Sequence, residues 1–265
     1  MEDDLVTHPS PTDLGDRLAD LIRADFDATF RMLFRPHGPT ETERLFVATT
    51  GMPHPFANFG FTTGVAGPAL VKEGIRSLCE DAFPSAFLSM HALPAESVAV
   101  LEENGFVHGE SMPLMAVDLA ELVVPDVPEG CVIERAEADL HDDWVDAMST
   151  GYELPRDLVD PMGPKHFGSG EVAVEFHVVR RRGEPVASSM FTVRDGVVGV
   201  YCIATHPSHR GAGIGGWATA APLVRFREAG HRTAILQASE MGAPIYRRLG
   251  FRDHGEMPLY VRIPS

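Results

Sequence analysis

A glycine-rich stretch in the second half of the chain is where residue types and spacing first point to chemistry. HPSHRGAGIGG, residues 206–216, holds four glycines within six residues and follows a run of apolar, β-prone residues. Backbone without side chains at a strand-to-helix junction leaves room for a ligand, most often a phosphate, whose charge a helix N-terminus favours. The stretch therefore predicts an anion-binding loop at the start of a helix.

Two classes of ligand, a dinucleotide or another molecule with a pyrophosphate, fit such a loop. The sequence around the loop distinguishes between them. Gly211, Gly213 and Gly216 satisfy G-x-G-x-x-G, the dinucleotide fingerprint, and Glu240 imitates its acidic partner. However, five residues separate the predicted strand from Gly211, and only about fifty residues follow Gly216. That is too little chain for the rest of a doubly wound sheet. The dinucleotide interpretation is the weaker one.

Anchored on Arg210 instead, the stretch has the form R-x-x-G-x-G over residues 210–215. Its backbone N–H groups and the helix dipole would suit a pyrophosphate, and the guanidinium would add a charge-assisted contact. Further along, YRRLGF at 246–251 places a tyrosine on a short predicted helix. A phenol has an ordinary pKa of about 10 and stays protonated at neutral pH, so Tyr246 is a candidate general acid.

The elements that position these residues follow from the patterning of apolar and polar residues. It predicts strands at 131–136, 171–181, 184–194, 197–205, 233–239 and 251–262, and helices at 139–152, 214–228 and 243–250. Gly183 and Asp195-Gly196 predict hairpin turns between consecutive strands. The order is β-rich first and then β-α-β-α-β, which predicts an α/β or α+β fold with a mixed sheet.

The first half of the chain contains a repeat of the second. LEENGFVHGESMPLMAV (101–117) aligns without gaps with YRRLGFRDHGEMPLYVR (246–262). A short apolar strand precedes each copy, at 86–92 and 233–239. Such self-similarity indicates two structurally related halves.

The halves differ where chemistry is expected. The first copy has Leu101 in the place of Tyr246 and lacks a glycine loop. We therefore expect two similar domains, 1–124 and 131–265, joined by a Pro-rich linker at 125–130. Only the second domain is expected to keep ligand chemistry.

From residue 130 onward, and most closely over 197–251, the sequence resembles the GNAT superfamily of CoA-dependent N-acyltransferases. The resemblance rests on the strand 197–205, the R-x-x-G-x-G loop and YRRLGF. The first half is similar to the degenerate copy of tandem GNAT proteins. The resemblance implies two GNAT-like mixed-sheet domains in tandem, the C-terminal one intact, and acetyl-CoA or another acyl-CoA as co-substrate.

The resemblance also implies roles for individual residues. The strand end would pair with the pantetheine arm and the loop would hold the pyrophosphate. The residues so assigned to CoA are Ile203, Ala204, Thr205, Arg210, Gly211, Ala212, Gly213, Ile214, Gly215 and Gly216. Tyr246 would protonate the departing CoA thiolate after direct attack by a neutral amine, without a covalent enzyme intermediate.

The sequence leaves the proton acceptor open. Many GNAT members carry a glutamate on the strand before the loop, whereas here Tyr201 and Cys202 stand near the substrate and the strand holds no acid. Water, Glu175 on the preceding hairpin and Glu240 after the next strand are the alternatives. Ser239 either hydrogen-bonds the acceptor or thiolate region or caps the helix that follows.

The net charge of the sequence limits the classes of binding partner that we expect. The net charge is −16, of which residues 1–128 carry −13 and residues 129–265 carry −3. This acidity argues against a nucleic-acid partner and suits either a cationic substrate or a solvated acidic surface. MEDDLVTH does not resemble a signal peptide, and prolines interrupt the uncharged stretch 45–71, so we expect a cytoplasmic protein without a membrane partner.

The three cysteines, Cys79, Cys131 and Cys202, are far apart and predict neither a disulfide framework nor a metal site. The expected function is transfer of an acyl group, with acetyl the first expectation, to a primary amine of a small or amino-acid-like molecule. The chain is expected to act as a monomer or homodimer. The missing strand glutamate keeps one alternative, a non-catalytic CoA-binding regulatory or interaction module.

Overall fold

Eleven strands form one continuous mixed sheet in a computed structural model that describes residues 8–80, 82–167 and 173–264. The strands are β1 (Thr40–Glu41), β2 (Leu45–Thr49), β3 (Asn58–Thr62), β4 (Ser85–Ser89), β5 (Val107–Asp118), β6 (Cys131–Ala136), β7 (Ala173–Arg181), β8 (Glu184–Arg194), β9 (Val197–Thr205), β10 (Thr233–Gln237) and β11 (Arg252–Arg262). Their order across the sheet is β1-β2-β3-β4-β11-β5-β10-β9-β8-β7-β6.

Helices cover both faces of this sheet. They are α1 (Pro11–Leu14), α2 (Leu18–Phe34), α3 (Pro68–Glu80), α4 (Ala95–Glu103), α5 (His141–Tyr152), α6 (Arg156–Val159), α7 (Ile214–Glu228) and α8 (Ala243–Arg248). No helix of the described residues is long and apolar enough to cross a bilayer.

The strands and helices expected in the second half are present with small shifts at their ends. The strand predicted at 171–181 is described from Ala173 onward, and residues 171–172 lie outside the described part. β10 ends at Gln237, two residues before its predicted end. Asp195 and Gly196 both have positive φ, at 50° and 79°, as a two-residue type I′ hairpin turn requires.

The repeat seen in the sequence is an approximate two-fold symmetry of the sheet. β5 and β11 pair antiparallel, and Met112 faces Met257, the residue with which the alignment equates it. A second pair follows the same symmetry. Asp253 faces Met115, and the residues that the alignment equates with them, His108 and Tyr260, also face each other. The symmetry axis therefore passes between the two methionines.

The two halves have exchanged their last strands. β11, from the second half, pairs with β4 of the first, and β5, from the first half, pairs with β10 of the second. The halves are thus not two separate sheets. Each completes its sheet with a strand of the other, so the mixed sheet expected for each half is continuous across both.

Hydrophobic packing divides into the two faces of the sheet. On one face α2 and α5 pack through Ile22, Phe26 and Trp144, which are at most 1% exposed. On the other face α7 packs on β9 and β10 through Leu223 and Phe226. Successive side chains of β9 alternate accordingly between the two faces.

Candidate active site

A β-bulge near the end of β9 marks the candidate site. Met190 of β8 faces Tyr201, and Ser188 faces Ala204, so the two residues between Tyr201 and Ala204 stand opposite Ser189 alone. Cys202, within this bulge, has a φ of 53°, which a non-glycine residue rarely adopts. The bulge therefore changes the direction of the strand just before the glycine loop.

The hydrogen-bonded pairing of β9 with β10 ends just before this bulge. They pair in parallel from Val197 and Thr233 to Gly199 and Ile235, and no further. β9 then continues to Thr205, which leaves an opening between the two strand ends. An opening of this kind exposes main-chain groups of β9 to which an extended ligand could add as a strand.

The first half lacks this opening. There β3 and β4, the counterparts of β9 and β10, stay paired up to Thr62 and Ser89. The Met90 N–H then donates to the Thr62 carbonyl at 3.2 Å, which closes the strand ends further. The two halves therefore differ at this place in the sheet, and the expectation that only the second half keeps ligand chemistry stays a prediction.

The glycine loop lies directly after β9 and ends in α7. Gly211 and Gly213 have φ values of 79° and 78°, and a Cβ added to either would meet no atom within 4 Å. Gly213 is the N-cap of α7 and has no side chain to occupy the free N–H groups of the first turn. The loop and the first turn of α7 therefore offer backbone N–H groups that no capping side chain occupies, and such groups suit an anion.

The remaining glycines of the loop lie against neighbouring side chains. A Cβ on Gly215 would lie 3.3 Å from the Thr205 hydroxyl, and one on Gly216 would lie 3.4 Å from Ile245, an ordinary van der Waals distance. α7 and α8, the short helix that carries Tyr246, are therefore in contact near Gly216.

Arg210 makes its hydrogen bonds within the protein. Its Nη2 donates to the Gly151 carbonyl at 2.7 Å and its Nε donates to the Thr205 carbonyl at 3.3 Å. A Cβ on Gly151 would lie 2.7 Å from the Ala204 Cβ, so the end of α5 presses against β9. The guanidinium ties the end of α5 to the loop, a role that the sequence did not indicate.

Tyr246 stands on α8 beside Thr219 of α7. Burial raises the pKa of the phenol, and the adjacent Thr219 hydroxyl opposes the rise. The ring also packs edge-on against Phe251, with centroids 5.9 Å apart. Tyr246 is therefore held in place and stays protonated through neutral pH.

Tyr152, which the sequence analysis did not single out, lies at the same opening. Although 46% of Tyr152 is exposed, desolvation around the phenol raises its pKa, and the neighbouring Tyr246 phenol and Cys202 thiol raise it further. Burial also raises the pKa of Cys202 to about 12. Three weak acids thus meet at the bulge, and all of them are protonated at neutral pH.

Ser239 and Glu240 follow β10. The Ser239 hydroxyl accepts the Gly242 N–H at 3.1 Å and so caps the turn that leads into α8. The exposed Glu240 donates its backbone N–H to the Glu110 carboxylate at 2.9 Å. The structure brings Ser239 close to Tyr246, because a Cβ on Gly242 would lie within 3.3 Å of both side chains.

Glu175 is not brought to the opening. It lies on β7, two strands away from β9 in the sheet. Its carboxylate pairs with Arg135 at 3.6 Å and with Arg225 of α7 at 3.9 Å. In this structure Glu175 belongs to a cluster of ion pairs.

A cavity of about 330 Å³ adjoins the glycine loop and is lined by Arg181, Arg182, Glu184 and His209. The Arg181 guanidinium approaches His209 Nδ1 at 3.4 Å. Arg180, by contrast, is taken up by ion pairs with Glu134 at 2.8 Å and with Asp143. Of the three consecutive arginines, Arg181 and Arg182 are those that face a ligand-sized space.

His141, Asp160 and His166 also cluster, with one potential ligand atom from each lying within 4.8 Å of the others. His141 Nδ1 accepts the Lys165 N–H at 3.4 Å, so its Nε2 is left to donate to Asp160 at 3.2 Å. Lys165 Nζ also contacts Asp160 at 3.1 Å. These hydrogen bonds, led by those from His141 and Lys165, hold the pKa of Asp160 well below its usual range. The contacts describe an ion-pair network around one carboxylate.

Comparison with known proteins assigns this arrangement to a class. Residues 173–253 match the family described as "Acetyltransferase (GNAT) domain". The matched segment runs from β7 through the glycine loop and α8 into β11. The second half therefore contains a GNAT acetyltransferase domain, a fold that supports acyl transfer in general.

Solved structures extend the likeness to the whole chain. A GCN5-related N-acetyltransferase from Kribbella flavida has a TM-score of 0.63 at 23% identity, covering 94% of this chain and 96% of that chain. One from Sphaerobacter thermophilus has a TM-score of 0.59 at 16% identity, covering 98% and 95%. A tandem GNAT protein from the clavulanic acid biosynthesis pathway has a TM-score of 0.54 at 12% identity, covering 96% and 97%. No protein of curated function matches the sequence. The chain has the tandem GNAT fold.

Proposed function

We propose that this protein is an N-acyltransferase that moves an acyl group, with acetyl our expectation, from acyl-CoA to a primary amine. The acceptor we propose is a small or amino-acid-like molecule. The observation that carries the proposal is the opening between β9 and β10, with the glycine loop at one end and a half-buried, protonated Tyr246 at its side.

The residues present fit CoA at three places. The β9 residues Ile203 to Thr205, beyond the last β10 pair, would hold the pantetheine arm by main-chain hydrogen bonds. The loop from Arg210 to Gly216 and the start of α7 would hold the pyrophosphate on backbone N–H groups. Arg181 would provide positive charge for the nucleotide phosphate in the adjoining cavity, which His209 also lines.

When bound, acyl-CoA supplies an activated thioester and a thiolate leaving group. Tyr246 would hold a proton at its phenol oxygen for the departing sulfur, because its raised pKa keeps the phenol protonated at neutral pH. Cys202 does not serve as a nucleophile, because a thiol with a pKa of about 12 has almost no thiolate at neutral pH. These properties support direct attack by the amine.

The test is thiol release from acetyl-CoA across a panel of primary amines, together with calorimetric binding of acetyl-CoA. The proposal expects micromolar to millimolar binding and amine-dependent release of free CoA. Tight CoA binding without turnover on any amine would favour the non-catalytic CoA-binding module instead.

A further inference from the structure

One carboxylate of the described residues is buried, and it lies beneath the bulge of β9. Asp25, on α2 of the first half, is 4% exposed. Its Oδ2 accepts a hydrogen bond from the Tyr201 phenol at 2.5 Å, and its Oδ1 lies 3.4 Å from Arg194 Nε. The first half thus places a carboxylate directly on the strand that carries the candidate site of the second.

β9 leaves space for the Asp25 carboxylate because residue 199 is glycine. A Cβ on Gly199 would lie 2.5 Å from Asp25 Oδ2 and 2.5 Å from the Thr192 hydroxyl, so only glycine leaves the space. The buried Thr192 hydroxyl has no hydrogen-bond partner. Asp25 also interrupts the apolar face of α2, between Ile22 and Phe26. A buried carboxylate costs stability that an apolar residue would not, so packing alone does not explain it.

The phenol that contacts Asp25 lies where the pairing of β9 with β10 ends. A Cβ on Gly199 would lie 2.7 Å from Tyr201 Cε2, so the buried ring packs over the last paired residue of β9. Tyr201 follows Gly199, the last β9 residue paired with β10, by two positions. The Thr29 hydroxyl and the Gln237 side chain lie beside the phenol. Gln237 is the last residue of β10, so this polar group spans the gap between the two strand ends.

This inference rests on the proposed function, in which an amine must lose a proton. β9 holds no carboxylate, Glu175 lies two strands away, and Glu240 is exposed after β10. We propose that Tyr201 and Asp25 form the proton-accepting pair for the acceptor amine. Before attack, the acceptor ammonium gives a proton to the Tyr201 oxygen while the phenolic proton passes to Asp25 Oδ2, so the amine becomes a neutral nucleophile, the phenol ends unchanged and the carboxylate ends protonated.

The surroundings of Asp25 raise its affinity for a proton. Burial raises the pKa of Asp25, while the Tyr201 hydrogen bond and the Arg194 charge oppose the rise. Tyr201 on β9 and Arg194 on β8 are the titratable or charged groups that contact this carboxylate. A base works best when its pKa approaches the working pH, so partial compensation of burial is favourable.

The experiment compares Asp25→Asn and Tyr201→Phe with Asp27→Asn, a carboxylate on the same helix that pairs with Arg31. Each full-length variant is assayed with two acceptors over a range of pH. One is an alkylamine, whose ammonium pKa is about 10 by analogy with lysine. The other is an arylamine, which is uncharged at neutral pH. Melting temperature and acetyl-CoA affinity are measured alongside, and the Asp carboxyl resonances are titrated by ¹³C NMR.

We expect Asp25→Asn and Tyr201→Phe to lower kcat/KM for the alkylamine about 100-fold, the scale of general-base catalysis, and to leave the arylamine nearly unaffected. Acetyl-CoA affinity should stay at the wild-type level, and Asp25→Asn should remove one carboxyl resonance of raised pKa. Asp27→Asn should behave as wild type.

Equal loss on both amines would overturn the inference and leave the proposed function standing, because a merely structural role cannot distinguish them. Wild-type behaviour of both variants would overturn it as well. A wild-type protein that binds no acetyl-CoA, or acylates neither amine, would overturn the proposed function and this inference with it.

Discussion

At the scale of single residues, the proposed chemistry depends on groups that stay protonated at neutral pH. Tyr246 of α8, Tyr152 of α5 and Cys202 of β9 lie near one another, and desolvation raises the pKa of each. None of them can serve as a base at neutral pH. The site therefore needs its proton acceptor from another residue.

Tyr246→Phe tests the donor. Removing the hydroxyl should lower kcat about 100-fold, the low end of the general-acid range, because the leaving thiolate loses its proton source. Acetyl-CoA affinity should change little, since the ring and its contact with Phe251 remain. Steady-state kinetics and calorimetry measure the two quantities separately. Wild-type kcat over the whole pH range would refute the acid role.

His177 provides a test of stability against pH. It is 4% exposed on β7, and burial lowers its pKa from 6.5 to about 4, with Arg225 and Arg135 adding to the effect. The unfolded chain binds a proton below pH 6.5 that the folded protein refuses until about pH 4. Stability is therefore full above pH 6.5 and falls as pH drops toward 4, by roughly 3 kcal/mol from this group.

His177→Phe should flatten that part of the pH dependence. Phenylalanine fits a pocket already bordered by Phe191, and the His177 Nδ1 atom it removes has no hydrogen-bond partner. Urea unfolding at pH 7, 5.5 and 4 measures the effect. An equally steep loss in the variant would show that other groups cause the acid sensitivity.

At the scale of elements, the proposed pyrophosphate site depends on the β9–loop–α7 unit. Its conformation depends on left-handed backbone at Gly211 and Gly213, and its exposure depends on the absence of side chains there. The sequence predicted this unit well, because glycine spacing and helix periodicity are local signals. The bounds of α7, Ile214–Glu228, match the predicted 214–228.

Gly213→Ala should weaken CoA binding at least about tenfold, because a Cβ at φ 78° strains the loop and crowds the N-terminus of α7. Gly38→Ala is the matched control, since Gly38 also has positive φ, at 62°, and open space around it. Both variants should lose similar stability, about 1 kcal/mol. Equal CoA affinity in the two variants would remove the loop from the binding site.

What the sequence could not predict lies between elements distant in the chain. Asp25 reaches Tyr201 across 176 positions, and the end of α5 reaches Arg210 across 59. No local pattern reports such contacts. The one available signal for Asp25 was an acid at helical spacing among the apolar residues Leu18, Ile22 and Phe26, in a segment for which we predicted no helix.

At the scale of the whole molecule, the exchange of β5 and β11 makes the halves interdependent. The repeat was visible in sequence, but the exchange was not, because two related halves could equally have kept their own last strands. Each half alone would expose the edge left by the missing strand: β4 would lose β11, and β10 would lose β5.

Expression of residues 1–124 or 131–265 alone should therefore give aggregated or poorly folded protein, whereas co-expression should yield a soluble complex. The full chain should unfold in one cooperative transition, since the central pairing of β5 with β11 belongs to both halves. Circular dichroism and size-exclusion chromatography of the three preparations measure this. A stable, soluble fragment of 131–265 that binds CoA would contradict the interdependence.

The measurement that bears most directly on the proposed function is CoA thiol release by the full-length wild-type protein with acetyl-CoA and a panel of primary amines. We expect free CoA formed in proportion to amine added, a matching N-acetylated product by mass spectrometry, and formation of both slowed about 100-fold by Tyr246→Phe. Saturable acetyl-CoA binding with no acetylated amine, across alkyl, aryl and amino-acid-like acceptors, would contradict it.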